Sequence, residues 1–208
     1  MENEDKEAAP SENGYVVDYG PWNIQTYQDT YIIGGVFGSR NYGASPSLVA
    51  VGTGMNPHRK ILIQSFPIED KPLITSAKLK LKIDMGTVTD FKAYMILKPW
   101  NEGTQNDKTA LSGETTWTSS AHGSTLWGTE GMSSATGDIS AVRIDTARTV
   151  QDGWATITLD PAQVNLWRTG SNYGIAIIYG NSGTHLFSSS ETADINLRPV
   201  WELSATPI

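Results

Sequence analysis

The chain has 208 residues, no cysteine, seven tryptophans, and 22 acidic against 15 basic side chains, which gives a formal net charge of -7. This acidic balance, with lysines spread along the sequence, excludes nucleic acids and anionic membrane surfaces as expected partners. The lack of cysteine excludes disulfides and thiolate chemistry, and no window approaches the roughly 18 apolar residues of a membrane-spanning helix.

The first 14 residues form an acidic polar segment. Its carboxylates are Glu2, Glu4, Asp5, Glu7 and Glu12. Such a composition buries too little apolar surface to fold, so we expect residues 1–14 to be a flexible tail or linker and residues 15–208 to be a single β-sandwich domain. The N-terminus lacks a cationic start followed by an apolar core, so no secretion signal is expected.

Alternation of apolar and polar residues dominates the rest of the chain. In residues 78–83 three lysines alternate with Leu79, Leu81 and Ile83, which predicts a half-buried antiparallel strand. Further strands are predicted at residues 47–51, 60–66, 91–97, 154–159, 173–179, 185–189 and 199–205. Eight to ten short strands separated by turns predict an all-β fold, a sandwich of two antiparallel sheets.

One short helix is predicted at residues 161–168. Asp160 is a suitable N-cap and Pro161 suits the first helical position. Val164 and Trp167 are three residues apart and would share a face.

A glycine-rich stretch from Trp100 to Gly131 contains three of the tryptophans and many Ser, Thr, Asn and Asp residues. These residue types favour turns and local hydrogen bonds, so we expect a long ordered loop held by its aromatic rings. Rings on loops of a rigid scaffold indicate recognition rather than chemistry.

An ordered set of residues resembles the DNRLRE type of carbohydrate-binding-like domain. In the first half the set is Asp29, Thr30, Tyr31, Ile32, Asn41, Tyr42, Gly43, residues 48–52, Arg59, Leu62, Phe66, Ile74, Ser76, Ala77, Leu79 and Leu81. In the second half it is Trp100, Glu102, Gly103, Thr116, Trp117, Trp127, Gly131, Val164, Trp167, Gly170, Asn172, Tyr173, Gly174, Phe187, Ser189, Glu191, Arg198 and Pro199. The resemblance implies a jelly-roll β-sandwich, found as a non-catalytic module beside polysaccharide-degrading enzymes and in bacterial, archaeal or phage surface proteins.

The aromatic residues divide into core anchors and candidate ligand platforms. Trp167 and Trp201 are expected in the core, from their positions on the helix and in an alternating strand. Parity places Trp154 on the wetter face of its strand, where it either stacks on a sugar ring or packs under a loop. The loop rings Trp117, Trp127 and Tyr42 are further candidates, with packing beneath the loop as the alternative.

Polar loop residues supply the other candidates. Asn101 and Gln105 offer the planar donors and acceptors that recognise sugar hydroxyls, although turn formation explains them equally. Glu102, Asp107 and Asp138 are candidate ligands of a calcium ion, which takes six to eight oxygens from flexible loops. In contrast, the polar residues Asp29, Asn41 and Arg59 are interpreted as buried hydrogen-bonding anchors.

No catalytic motif is present in the sequence. The histidines His58, His122 and His185 have no metal-ligand spacing, and nucleophile-elbow, phosphate-loop and dinucleotide motifs are missing. A carboxylate pair of Glu102 with Glu114 or Glu130 is left open by the sequence, because its separation is a spatial fact.

The leading hypothesis is a non-catalytic carbohydrate-binding or adhesion module, extracellular or at the cell surface, whose partner is a polysaccharide or cell-surface glycan. A structural surface subunit, such as a phage virion decoration or tail protein or a filament component, is the alternative and would contact neighbouring subunits. A polysaccharide lyase or hydrolase is the third hypothesis.

Overall fold

The structure, a computed structural model, describes residues 20–52, 58–68, 71–86, 90–170, 172–180 and 183–205. The strands of this part of the chain are β1 (Trp22–Gln25), β2 (Asp29–Ile33), β3 (Arg40–Asn41), β4 (Ser47–Val51), β5 (Arg59–Ile63), β6 (Ile74–Met85), β7 (Phe91–Ile96), β8 (Lys108–Thr109), β9 (Ser119–Ala121), β10 (Thr125–Leu126), β11 (Ile139–Arg143), β12 (Asp145–Gln151), β13 (Trp154–Leu159), β14 (Ile175–Tyr179), β15 (Thr184–Ser188) and β16 (Val200–Ala205). The predicted tail at residues 1–14 lies outside the described residues, and the assignment of residues 15–208 to one domain stays a prediction.

Twelve of these strands form one antiparallel sheet that is curled into a half-barrel. The remaining four form two short pairs, β3 with β8 and β9 with β10. The fold is therefore all-β with one short helix, as the alternation predicted. Two distinct sheets, the finer prediction, are not clearly present.

The long strand β6 explains why the sheet is continuous. Its first part lies between β16 and β13, whereas Ile83 and Met85 near its end pair with β15. One strand thus belongs to both halves of the curled sheet. Its alternation is as predicted: Leu79 and Leu81 are buried, and the intervening lysines lie on the opposite face.

The concave side of the curled sheet encloses the main core. Leu79 of β6 and Ile157 of β13 join Ile63 of β5 and Ile177 of β14 in one buried cluster. Strands such as β14 are apolar on both faces, because Ala176, pointing away from this core, packs in a second cluster beneath the long loop. These strands consequently have continuous apolar runs instead of alternation.

Three aromatic rings close one part of the core. Phe66 contacts Trp167 edge-on at 5.4 Å between ring centroids and Trp201 at 5.3 Å, and the two indoles lie 6.1 Å apart. Trp201 Nε1 donates to the Gln64 carbonyl at 3.1 Å, which satisfies its polar atom inside the core. The prediction that Trp167 and Trp201 are core anchors is confirmed.

The helix α1 (Pro161–Asn165) continues into a 3-10 turn at Leu166–Arg168. The Asp160 carboxylate accepts the Ala162 N–H at 2.9 Å, and Pro161 occupies the first turn, so the predicted cap is confirmed. No helix among the described residues is long and apolar enough to cross a membrane.

Candidate ligand pocket

Two segments distant in sequence meet where β3 pairs with β8. Arg40 lies opposite Thr109 and Asn41 opposite Lys108 in this short antiparallel ladder. The pairing attaches the segment after β2 to the start of the glycine-rich loop. Both segments contribute side chains to a pocket at this junction.

Asn41 fixes the relative positions of the two segments. Its Nδ2 donates to the carbonyls of Glu102 at 2.6 Å and Thr115 at 3.0 Å, and its Oδ1 accepts the N–H groups of Gly43 and Gln105, each at 3.1 Å. The side chain is 1% exposed and uses all of its hydrogen-bonding atoms. The interpretation of Asn41 as a buried anchor is confirmed.

Gly43 shows how closely the segments approach. A Cβ added at this position would collide with the backbone carbonyls of Glu102 and Gly103. Glycine is required here for close approach of two backbones, which explains the Asn-Tyr-Gly sequence at residues 41–43.

The junction contains a cavity of about 240 Å³ with a strongly aromatic lining. Its lining residues are Tyr31, Ile33, Phe37, Tyr42, Arg59 and Asp107, and we call this cavity the aromatic pocket. Tyr31 and Tyr42 stack with centroids 4.5 Å apart, and the Arg40 guanidinium lies 5.1 Å from the Phe37 ring centroid.

Planar charged groups lie beside these rings. Asp107 Oδ1 accepts from Arg40 Nη1 at 2.8 Å and from the Tyr42 hydroxyl at 2.9 Å. The hydrogen bond from Arg40 holds the pKa of Asp107 below its usual value, and burial raises that of Tyr42, so the pair is carboxylate and neutral phenol at neutral pH. The Nε of Arg59 is buried and has no hydrogen-bond partner among the described residues.

Two acids, the buried Asp29 and the half-buried Glu102, meet at the beginning of β2. The Asp29 N–H donates to Glu102 Oε1 at 2.8 Å, while Asp29 Oδ2 accepts from the Ser190 N–H at 2.9 Å and from Thr26 Oγ1. Asp29 Oδ1 is buried and finds no hydrogen-bond partner in the described part of the chain. Burial is the main cause that raises the pKa of Asp29 to about 7 and that of Glu102 to about 8.

Of the residues predicted to be functional, two line the aromatic pocket. They are Tyr42 and Asp107. The Gln105 N–H donates to Asn41 Oδ1, and its Nε2 donates to Thr104 Oγ1 at 3.0 Å. Asn101 is exposed, with its Oδ1 accepting the Gly103 N–H at 3.3 Å, which is the turn-forming role that the sequence also allowed.

The loop tryptophans pack beneath their own loop. Trp127 is 5% exposed and its Nε1 donates to the Thr116 carbonyl at 2.9 Å, which leaves little of the ring for a ligand. Trp117 is half-buried between Gly34 and Gly131, and a Cβ at either glycine would press against its ring. Packing, the alternative that the sequence left open, describes both rings.

Trp154 lies far from the aromatic pocket in the sheet order, on the outer face of β13. It is half-buried, shares that face with Thr156 and Thr158, and lies below the Nζ atoms of Lys80 and Lys82, 5.6 and 5.8 Å from the ring centroid. Parity therefore predicted its face correctly, because the strand is regular from end to end.

The candidate calcium ligands are not brought together. Glu102 joins Asp29, Asp107 pairs with Arg40, and Asp138 accepts three backbone N–H groups and pairs with Lys98 at 3.2 Å. Among the residues described, no group of three or more His, Asp or Glu side chains is arranged to hold a metal ion. Each of the three carboxylates instead has donors within the protein, and a calcium site built from these three residues stays a prediction.

Sequence reasoning missed three of the side chains that line the pocket: Tyr31, Ile33 and Phe37. The segment that contains them does not alternate regularly between apolar and polar residues, because the 3-10 turn Gly35–Phe37 follows β2. The available signal was a phenylalanine in a short segment rich in glycine, residues 34–38.

No protein-family model matches the chain, and no curated protein matches it at a significant level. The resemblance to DNRLRE-type domains therefore stays a prediction from the ordered residues.

Proposed function

We propose that this protein is a non-catalytic carbohydrate-binding module and that the aromatic pocket is its ligand site. The observation that carries the proposal is the combination of aromatic rings with planar charged groups in one small cavity. A sugar ring has apolar C–H faces and polar edges, so it needs both kinds of contact at fixed positions.

The rings supply the apolar contact. Phe37 is half-buried and lines the cavity, so part of its surface is available, whereas Tyr31 and Tyr42 form a stacked, buried floor. A floor fixed by stacking loses little conformational entropy when a ligand binds. The cavity is below the usual volume of drug-sized sites, which suits one sugar unit of a longer chain.

The charged groups supply orientation. Asp107 is an acceptor held by Arg40 and Tyr42, and it is exposed enough to accept a further bond from a sugar hydroxyl. The Nε of Arg59 is a buried donor that has no partner among the described residues, which is costly. A hydroxyl that accepts from this Nε would remove that cost.

The resemblance to DNRLRE-type domains is consistent with a ligand site in the aromatic pocket. We propose that the curled sheet is a variant of the DNRLRE-type jelly roll, in which β6 joins the two halves. Tyr42 and Arg59 belong to the ordered set that carries the resemblance. A polysaccharide ligand implies a place outside the cell or at its surface, and the chemistry is expected to be binding alone.

Binding to a glycan panel followed by calorimetry tests the proposal. Phe37→Ala and Arg59→Met are each expected to weaken binding of the preferred glycan at least tenfold, which corresponds to about 1.4 kcal/mol. Phe37→Ala removes the accessible ring, and Arg59→Met keeps an apolar stem without the donor.

Val36→Ala is the matched control, because Val36 is the neighbour of Phe37 and is 89% exposed. It should bind like the unmodified protein. Binding to no glycan of a broad panel, or full binding by the folded Phe37→Ala variant, would contradict the proposal.

The outer face of β13 favours the second candidate, a structural surface subunit of a virion or filament. Trp154 there offers a partly exposed indole, a residue type that is enriched in protein interfaces, and it is bordered by Lys80, Lys82 and the Lys80–Glu202 ion pair. On this view Trp154→Ala reduces self-association measured by light scattering at high concentration, while Thr156→Ala does not. A protein that stays monomeric throughout would count against this candidate.

A further inference from the structure

A second and larger cavity lies on the opposite side of β5 from the main core. It has a volume of about 460 Å³ and lies between strands β5, β7 and β14 and the segment at residues 133–141. Its polar lining consists of Lys60, Asp90, Lys92, Tyr94, Ser133 and Ser140, and we call it the lysine groove. It shares no lining residue with the aromatic pocket.

Lys60 is the unusual residue of this groove. It is 7% exposed, and its Nζ donates to the Gly131 carbonyl at 2.5 Å and to Ser133 Oγ at 2.9 Å. An ammonium has three N–H donors, so one remains after these two bonds. The Trp117 ring centroid lies 5.5 Å from Nζ and contributes a weak attraction.

No carboxylate of the described residues lies within ion-pair distance of Lys60 Nζ. Asp138 is the acidic group that interacts electrostatically with Lys60, but its carboxylate already binds Lys98 and three backbone N–H groups. A buried cation without a counter-ion is unfavourable. Burial accordingly lowers the pKa of Lys60 to about 8.

The rest of the groove matches an anionic, hydroxyl-rich ligand. Lys92 of β7 adds a second ammonium, whereas Asp90 is the single carboxylate of the lining, so the lining has an excess of one positive charge. The hydroxyls of Ser133 and Ser140 and the ring of Tyr94 lie on the same surface. This positive lining contrasts with the net charge of -7 of the whole chain.

We infer that the lysine groove binds a carboxylated sugar, a uronic acid unit of an anionic polysaccharide. The carboxylate takes the place of the missing counter-ion between Lys60 and Lys92. The sugar ring lies against Tyr94 and Ile178, and its hydroxyls bond to the two serines and Asp90. The inference depends on the groove alone and stands whether or not the aromatic pocket binds a sugar.

Calorimetric titration with oligogalacturonate tests the inference, with the methyl ester of the same oligosaccharide and free galacturonate as comparison ligands. The acid oligosaccharide is expected to bind at low salt at pH 6.5, where Lys60 is charged, and at least tenfold more tightly than the ester. Binding should weaken as salt is raised, because charge pairs at an open groove are screened. Equal binding of acid and ester, or no binding of the acid, overturns the inference.

Two variants locate the site. Lys60→Met and Lys92→Met should each weaken binding of the acid oligosaccharide at least fivefold, and Lys82→Met, which removes one lysine from the outer face of β6, should not. Lys92 makes none of the loop contacts of Lys60, so Lys92→Met keeps the test decisive if Lys60→Met does not fold. Full binding by folded Lys92→Met overturns the inference. Binding of free galacturonate as tight as the oligosaccharide assigns the site to the single carboxylated unit and supports it.

Phe37→Ala separates this site from the aromatic pocket. The variant should retain oligogalacturonate binding, because Phe37 does not line the lysine groove. Loss of that binding together with neutral-glycan binding would overturn the assignment to the groove.

Discussion

Asn41→Ala lowers the free energy of unfolding by about 4 kcal/mol and abolishes ligand binding in the aromatic pocket. The substitution removes four hydrogen bonds and leaves two carbonyls and two N–H groups of buried or partly buried backbone without partners. Each such group costs roughly 1–3 kcal/mol, and partial rehydration of the loop recovers some of the sum. Urea unfolding followed by tryptophan fluorescence measures the change.

Asn41→Asp separates the accepting and donating roles of the side chain. Aspartate can still accept the N–H groups of Gly43 and Gln105 but cannot donate to the carbonyls of Glu102 and Thr115. It should be destabilised by at least half as much as Asn41→Ala. Asn101→Ala is the matched control, since Asn101 is exposed and makes one weak turn bond. A loss below about 1 kcal/mol for Asn41→Ala would contradict the anchoring role.

The protein is expected to become less stable as the pH rises from about 4 to about 8. The pKa of Asp29 is raised from 3.8 to about 7 and that of Glu102 from 4.5 to about 8, mainly by burial, so the folded state holds protons that the unfolded state has released. Stability is therefore highest below the unfolded pKa values and declines until the folded ones are passed. For Asp29 alone the loss is on the order of 2–4 kcal/mol.

Asp29→Asn should remove the part of this decline that Asp29 contributes, roughly half, because the amide has no charge to bury, whereas Glu102 keeps its own part. Urea unfolding at pH 5 and pH 8 measures the difference for the unmodified protein and the variant. Asp152→Asn, at an exposed hairpin turn, is the control and should keep the decline. Asp107 acts in the opposite direction. Arg40 lowers the pKa of its carboxyl group, so the stability that Asp107 contributes is lost when the group is protonated below about pH 4. Equal stability of the unmodified protein at pH 5 and pH 8 would contradict the expected burial cost.

Local features of the fold were predictable because local physics determines them. The alternation in β6, the Asp160 cap and the burial of Trp167 and Trp201 follow from side-chain parity, capping chemistry and apolar area. The continuity of the sheet was not predictable. The sheet is continuous because β6 changes partners along its length, from β13 and β16 to β15. The alternation of apolar and polar residues does not indicate which strands pair.

The candidate site was predictable only in part. Tyr42 and Asn41 were identifiable from the turn sequence. Trp117 is a packing residue because Gly34 and Gly131 leave room for its ring, and Trp127 is buried with its Nε1 bonded to the Thr116 carbonyl. Lys60 could not be identified from sequence as unusual. A lysine in a strand is ordinarily solvated, and its burial results from residues 131–133, which are 71 positions or more away.

The pairing of β1 with β16 places the first and last described strands side by side. Trp22 lies opposite Leu203 in an antiparallel register, so the described part of the chain begins and ends at the same corner of the sheet. In antiparallel pairs the opposed Cα atoms are about 5 Å apart, a gap that a few residues span. A circular permutant that is joined there and opened at the exposed Asp152–Gly153 turn would keep every sheet neighbour. Because the two ends are close together, the protein could also be inserted into a surface loop of another protein without distorting that loop.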